Sequence, residues 1–496
     1  MKRKARLACL VMPLALLAGC KTVGPNFTAP APPTGDVYAA ATTPASGLAA
    51  SFGSGPEQRW WTVFGSPEMD ALVGRALIGN HSLAASIATL ERAQERVRAV
   101  AGRQLPQVDA NARVEHEKVN LSAFGLDPSA LGPGLAPKPF TLYSLGGGVS
   151  YDLDLFGGTR RAREQAEADA QALAREAEAA HLTIAGRVVV QVLTLAAIND
   201  RIATERALIA EDQRNVALTE AKRKGGEGTL VEVLSAQGQL AQDQAGLPQL
   251  EQQRAEGRDM LAILVGVTPA ELGPTDFSLA AMRLPGQVPV TVPSELVHKR
   301  PDILAAEARL HSATAAIGVA TAKLYPSVIL GASFQQATTH PEDLLSGASN
   351  GFSILSGLTA PIFHGGTLKA ERRGAEAETR AAAARYQQTL LEAFGQVSDL
   401  LAALGNDAEA VALRNQSASV AERSLGLSRR SFQVGYSGIL QVLDASRGAQ
   451  QARLAVVDAR SRQFINVARL YVATAGGWTG PAGSEQAQQV APSTKP

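Results

Sequence analysis

Along the last third of the chain the apolar positions change period once, from two to about three and a half, and the new period then persists. Phe352, Ile354, Leu358, Ala360 and Ile362 fall on even positions with Ser353, Gly357 and Thr359 between them, which predicts a strand with one mostly apolar face. After His364-Gly365-Gly366 the alternation stops. From Thr367 to about Phe432 there is no proline, and Leu390, Phe394, Val397, Leu401 and Leu404 recur at steps of three and four. That spacing predicts one helix of roughly 65 residues, about 100 Å long. Val434-Gly435-Tyr436-Ser437-Gly438 breaks it, and a second helix is expected from about Ile439 to Thr474.

The same order occurs earlier. Apolar positions predict a helix from Met69 to Arg103, with Asn80-His81-Ser82 as an interruption or a change of packing partner. A strand is expected over about Gln107 to Val119, with Val108, Ala110, Ala112 and Val114 on one face and Asp109, Asn111, Arg113 and Glu115 on the other. A second strand carries Tyr143, Leu145, Val149, Tyr151 and Leu153 opposite Ser144, Gly146, Gly148, Ser150 and Asp152. A long helix from Thr159 to about Lys222 and a return helix from Leu230 to Val265 follow, Pro248 predicting a kink in the latter. Phe156-Gly157-Gly158-Thr159 matches Phe363-His364-Gly365-Gly366-Thr367, and Gly226 before Val233-Leu234-Ser235-Ala236 matches Gly435 before Val442-Leu443-Asp444-Ala445. The chain therefore divides into two copies, 57–272 and 293–478, around a proline-punctuated linker at 273–292, with a polar tail at 479–496.

Strands apolar on one face and polar on the other, with tyrosines towards an end, suit a lipid-facing wall around a wet lumen, although a half-buried soluble sheet would carry the same pattern. The long helices alone would also suit a coiled-coil scaffold. No run of about twenty apolar residues follows the N-terminus, so a membrane crossing is expected of the strands alone. About eight strands make the smallest membrane barrel, and open edges are not tolerated in lipid. Four strands per chain then require several chains to share one barrel.

Lys2, Arg3, Lys4 and Arg6 precede an apolar run from Leu7 to Leu17 and the box Leu17-Ala18-Gly19-Cys20, the pattern of a secretory leader (1–19) ending at a lipidated cysteine. The two cysteines, Cys9 and Cys20, leave no disulfide in the mature chain, and loss of the leader takes the formal charge from +1 to −3. Nothing in this balance points to nucleic acid. Residues 20–56 have the composition of an extended tether, and Trp60-Trp61 reads as a small core where the fold starts. Gly347-Ala348-Ser349-Asn350-Gly351 matches a hydrolase pattern but lacks the strand-before, helix-after setting that pattern needs. Gly146-Gly147-Gly148 has no following Lys-Ser/Thr, the histidines show no zinc spacing, and Asp152 with Asp154, two apart on one strand face, is explained by a polar lumen rather than a catalytic pair. No catalytic constellation and no cofactor beyond a covalent lipid on Cys20 is expected.

Cys20 with Val23-Gly24-Pro25-Asn26-Phe27, Trp60-Trp61 through Pro67, Pro293-Ser294-Glu295-Leu296 with Arg300-Pro301-Asp302-Ile303, and Val442-Leu443-Asp444-Ala445 after Gly435 together resemble the outer-membrane efflux proteins, in the lipoprotein branch that serves drug pumps of the resistance-nodulation-division type. The resemblance implies a homotrimer whose chains give four strands each to a twelve-stranded outer-membrane β-barrel, continuous with a hollow α-helical barrel across the periplasm. It implies a passive exit duct working with a periplasmic adaptor and an inner-membrane pump. By motif, Leu440 would be an apolar constriction, Asp444 an acidic ring favouring cations, and Arg447 a partner holding neighbouring helices. Gly226 and Gly435 would allow the hairpin turns and mark adaptor contacts. Ser235 stands where the first copy would need an acid, Glu232 being the nearest carboxylate, and Gly225-Gly226-Glu227-Gly228 reads as a looser turn. Alternatives are a polypeptide secretion duct on the same scaffold and a non-conducting lipid-anchored coiled-coil spacer.

Overall fold

The structure is a computed structural model that describes residues 22–31, 38, 49–53, 59–120 and 138–474. The expected leader, Cys20, most of the expected tether, residues 121–137 and the expected tail lie outside these residues. In order the elements are β1 (Ala49–Phe52), α1 (Pro67–Gly79), α2 (His81–Gly102), β2 (Gln107–Glu117), β3 (Phe140–Asp152), α3 (Gly158–Lys224), α4 (Leu230–Val265), β4 (Gln287–Val290), α5 (Pro293–Lys299), α6 (Pro301–Ala322), β5 (Ser327–Thr338), β6 (Asn350–Thr359), α7 (Thr367–Gln433) and α8 (Ile439–Ala473). Helix, strand, strand, 67-residue helix and return helix thus follow one another twice.

Contacts divide the chain into two units. The first takes in the described residues of 1–29, 91–171 and 307–384. Its centre is a four-stranded antiparallel sheet in the order β2-β3-β5-β6. The segment after Cys20 is tied to this unit: the Val23 amide donates to the Phe156 carbonyl, and the buried Arg161 donates to the carbonyls of Val23 and Gly24 and to the Asn26 side chain. Phe27 stacks on His311 at 4.5 Å. At least this part of the tether is held by its backbone carbonyls, which leave no trace in apolar periodicity.

Asp154 is not a strand residue. It takes a left-handed backbone with φ 45°, and its carboxylate accepts hydrogen bonds from the Thr159 and Arg160 amides, so it caps the start of α3.

The second unit takes in the described residues of 30–90, 172–306 and 385–496. Its main core joins Trp60, Phe64, Met69 and Val73 to Val188, Val192 and Leu195 of α3, Leu261 of α4, Val397 of α7 and Phe464 of α8. Trp60 stacks on Tyr471 at 5.4 Å, so the tryptophan pair does lie in a core. Asn80 ends α1 and starts α2. Its amide donates to the Leu264 carbonyl, and its side-chain oxygen accepts from the Leu83 amide. Of the two readings of Asn80-His81-Ser82, interruption is the one found: the helical stretch over 69–103 is divided in two at Asn80.

Within the proline-punctuated linker, Val288 and Val290 are fully buried, and β4 pairs in parallel with β1. Frequent prolines hid a two-residue alternation there. The helix α4 runs without interruption through Pro248. By length and composition α3 contains a stretch apolar enough to cross a membrane, with a mean hydropathy of 1.6, against the expectation that no such run exists. Ile184, Val188, Val189, Val192, Leu193 and Leu195 of that helix are buried against other helices, which accounts for its apolarity.

Candidate functional site

Two places on the chain carry functional geometry: the faces of the four-stranded sheet and the tips of the two helical hairpins. In the sheet, register brings like residues together. Val108, Ala110, Ala112 and Val114 of β2 stand opposite Val149, Gly147, Leu145 and Tyr143 of β3, which in turn pair with Ala332, Phe334, Gln336 and Thr338 of β5. Across β5 and β6 the same face continues through Ala332 with Ile354 and Phe334 with Phe352. The opposite face carries Asp109, Asn111, Arg113, Glu115, Ser144, Gly148, Ser333 and Ser353, with a 2.9 Å hydrogen bond between the Ser333 and Ser353 hydroxyls.

Among the described residues neither face of the sheet packs against a hydrophobic core. Every residue of β2 is exposed, and on the apolar face Val108, Phe352, Ile354 and Leu358 are each at least 70% exposed. A soluble sheet would bury that side, and an apolar surface of this extent needs another solvent or a partner. Among the described residues β2 and β6 each pair on one side only.

At the hairpin tips two glycines make the same turn. Gly226 and Gly435 have φ 82° and 84°. In each case the following amide, Glu227 or Tyr436, reaches back five residues, to the Lys222 or the Ser431 carbonyl, at 2.9 Å. The first turn is thus no looser than the second in its backbone, contrary to what its three glycines predict. The difference lies in what starts the return helix. Thr229 and Glu232 form a reciprocal capping box at α4, whereas Gly438 before α8 provides no side-chain cap. Glu232 therefore supports a helix end.

The hairpins meet around Ala236, Leu425, Phe432, Ile439, Val442, Leu443 and Ala449. The Lys222 ammonium lies 3.8 Å from the centre of the Phe432 ring. On α8 these buried positions recur every three or four residues, which leaves Leu440, Asp444 and Arg447 together on the exposed face. Arg447 Nη2 donates to Gln239 Oε1 of α4 at 2.5 Å, joining the second hairpin to the first.

Behind Arg447 lies a group of residues that sequence reasoning passed over. Gln239 donates to both carboxylate oxygens of Asp243, at 3.0 and 2.9 Å. Asp243 is buried, as are Asp212 and Glu205 of α3. Gln450 donates to Glu205, and Ser446 donates to Glu211, which pairs with Arg429. Burial is the main force raising the proton affinity of Asp212, aided by the hydrogen bond and charge of Asp243, and the pKa reaches about 7. Burial also raises Glu205, against the stabilising amide of Gln450. The sequence held a signal for this group. Ile202, Glu205, Leu208, Asp212, Val216 and Thr219 are spaced as one apolar seam, with carboxyls at two of its positions.

The sequence profile of the outer membrane efflux proteins matches residues 72–267 and 292–476. The chain belongs to the outer membrane efflux protein family. It is 31% identical over 472 residues to the pyoverdine export outer membrane protein OpmQ of Pseudomonas putida, covering 95% of this chain and 97% of that protein. It is 29% identical to the outer membrane protein OprJ of Pseudomonas aeruginosa, over 96% and 97% of the two chains. Among solved structures, the outer-membrane channel OprN superposes with a TM-score of 0.82 at 28% identity, over 92% of this chain and 99% of that one. The family is one of channels, and its fold is the mixed helical and sheet fold described above.

Proposed function

We propose that three copies of this chain form one outer-membrane exit duct, the channel component of a tripartite efflux system, through which small molecules handed over by an inner-membrane pump and a periplasmic adaptor leave the cell. The observation that carries this is the four-stranded sheet, apolar and exposed on one face, mostly polar on the other, and, among the described residues, unpaired at the outer edges of β2 and β6. Because each neighbour in the order β2-β3-β5-β6 is antiparallel, β2 and β6 run in opposite directions. A β6 edge can therefore accept the β2 edge of the next copy and remain antiparallel all round. Closure removes every open edge, as lipid requires. Each copy contributes four strands, so three give twelve, an even number within the membrane-barrel range. The apolar face then meets lipid and the Asp109–Arg113–Glu115 face lines the lumen.

In this reading the twice-repeated order of elements is an internal duplication, Cys20 carries a covalent lipid, and the helices of three copies surround the periplasmic part of the duct. Leu440, Asp444 and Arg447 form the periplasmic constriction, with Gly226 and Gly435 at the turns the adaptor meets. The exposure of the first three on one helix face, and the tie from Arg447 to Gln239, support that placement. Three Asp444 carboxylates around an axis would favour cations. A lipid-anchored spacer has no use for the sheet, and the family relationship places polypeptide secretion second to efflux.

The test is planar-bilayer recording of the purified lipidated protein, with its detergent-corrected mass. A trimer of low conductance that rises when Asp444 and Arg447 are both replaced by alanine is the expected result. Unchanged conductance in an intact trimer removes these residues from the constriction, and a monomer or a non-conducting trimer overturns the duct.

A further inference from the structure

We propose that Asp212 and Asp243 share one proton, and that this proton holds Gln239 where it grips Arg447, so that Asp212, Gln239 and Asp243 are positioning residues for the closed hairpin tips. The inference deepens the duct reading and rests on Arg447 belonging to the constriction.

The geometry is that of a pair with one hydrogen too few for two carboxylates. Asp212 is 1% exposed, and its Oδ2 has no hydrogen-bond donor among the described residues. Its Oδ1 receives only a long contact, 3.5 Å, from the Asn215 amide. Asp243 is buried on the stretch of α4 that faces it, bracketed by the contacts of Gln237 with Glu220 and of Glu251 with Arg206, and has both oxygens occupied by the Gln239 amide. The nearby cations are held elsewhere: Arg429 pairs with Glu211, Arg201 with Asp458 at 3.7 Å, and Arg447 donates to the Gln239 carbonyl oxygen. Gln450 and Ser446 of α8 face Glu205 and Glu211 rather than the aspartate pair. With both aspartates ionised, two unpaired negative charges would sit out of water, which is costly. One proton on Asp212 turns that repulsion into an O–H···O bond from Asp212 to Asp243. It also leaves Asp243 charged and able to hold the Gln239 amide, which fixes the Gln239 carbonyl for Arg447.

The proton affinity of Asp212 is raised in the folded protein, to about 7, so the brace is intact in acid and weakens as pH rises through that value. Losing the proton to solvent breaks the bond to Asp243, forces α3 and α4 apart at this turn and loosens Gln239. The arrangement makes closure of the tips sensitive to pH near neutrality.

The experiment uses full-length lipidated protein in detergent. Backbone hydrogen exchange over residues 205–243, corrected for the intrinsic pH dependence, is followed from about pH 5.5 to about pH 8.5. The infrared band of protonated carboxyls is followed in parallel. Wild type is expected to lose protection and the protonated-carboxyl band together near neutral pH. Asp212→Asn, whose amide gives Asp243 the same donor without titrating, is expected to keep its protection throughout. Asp212→Ala, which removes the repulsion together with the hydrogen bond, should show protection that no longer changes with pH. In bilayers, conductance should rise with pH in wild type and stay low in Asp212→Asn. Identical pH profiles for wild type and Asp212→Asn overturn the proposal, as does protection in wild type that does not change with pH. If Asp212→Asn fails to fold, wild type decides alone: a protonated-carboxyl band that does not fade together with protection near neutral pH overturns the proposal. A protein that never conducts refutes the duct, while exchange and infrared still decide whether the proton is shared.

Discussion

Gly435 and Gly266 adopt nearly the same left-handed backbone, φ 84° and 82°, under different constraints. At Gly435 an added Cβ would meet nothing within 4 Å, so only the backbone conformation demands glycine. At Gly266 the Cβ would lie 2.0 Å from the Gly79 carbonyl oxygen. Gly435→Ala is therefore expected to cost about 1–2 kcal/mol, the penalty for an L-residue in that region, and Gly266→Ala clearly more, because α1 and α4 must separate. Chemical denaturation of the two variants checks the order, and equal losses would contradict it. The demand at Gly435 could be read from the sequence because it arises within five residues of chain. At Gly266 it comes from a carbonyl brought in by the fold, and sequence reasoning did not reach it. Asp154 shows the same limit: its neighbours predicted a strand position, and only the direction of α3 made it a cap.

Among the elements, the two return helices start differently, and that difference is open to test. Glu232 closes a capping box with Thr229. Glu232→Gln should leave stability unchanged because the amide oxygen can still accept from the Thr229 backbone, whereas Glu232→Ala should cost about 1 kcal/mol. Neither should alter conductance if Glu232 is a cap alone; a changed conductance in a stably folded variant would move it to the constriction. Helix lengths were readable to within a few residues, because uninterrupted apolar spacing and the flanking glycines are local. The break at Asn80 was less so: the interruption was visible, but its cause, a hydrogen bond to Leu264, depends on α4. The buried carboxyls were the least readable. Glu205 and Asp212 occupy seam positions, yet a seam carboxyl becomes meaningful only when it is known what faces it.

For the molecule as a whole, the two faces of the sheet should respond oppositely to charge. Phe334 lies on the apolar face and Ser333 beside it on the polar face. Phe334→Lys is expected to destabilise membrane folding by about 2–4 kcal/mol if it meets the middle of the bilayer, and Ser333→Lys by much less. Folding into lipid vesicles, followed by heat-resistant migration of the assembled protein, measures both, and equal sensitivity would refute the proposed assignment of lipid and lumen. The sheet's alternation was present in the sequence, but a soluble sheet fitted it equally well. Exposure of the apolar face among the described residues weighs against the soluble reading, since a soluble sheet would bury that side.

By itself the sequence determined the long helices, the strands of the four-stranded sheet and their order, because helix and strand periods, proline and glycine act over a few residues. It also placed the four alternating strands, and with them the need for more than one chain in a membrane barrel. The tertiary structure decided which residues oppose one another: the β1–β4 pairing, the grip of Arg161 on the segment after Cys20, the tie from Arg447 to Gln239, and the buried Asp212–Asp243 pair. Those contacts join residues far apart in the chain. Their chemistry depends on desolvation and on the geometry of facing side chains, and both exist only once the helices have packed.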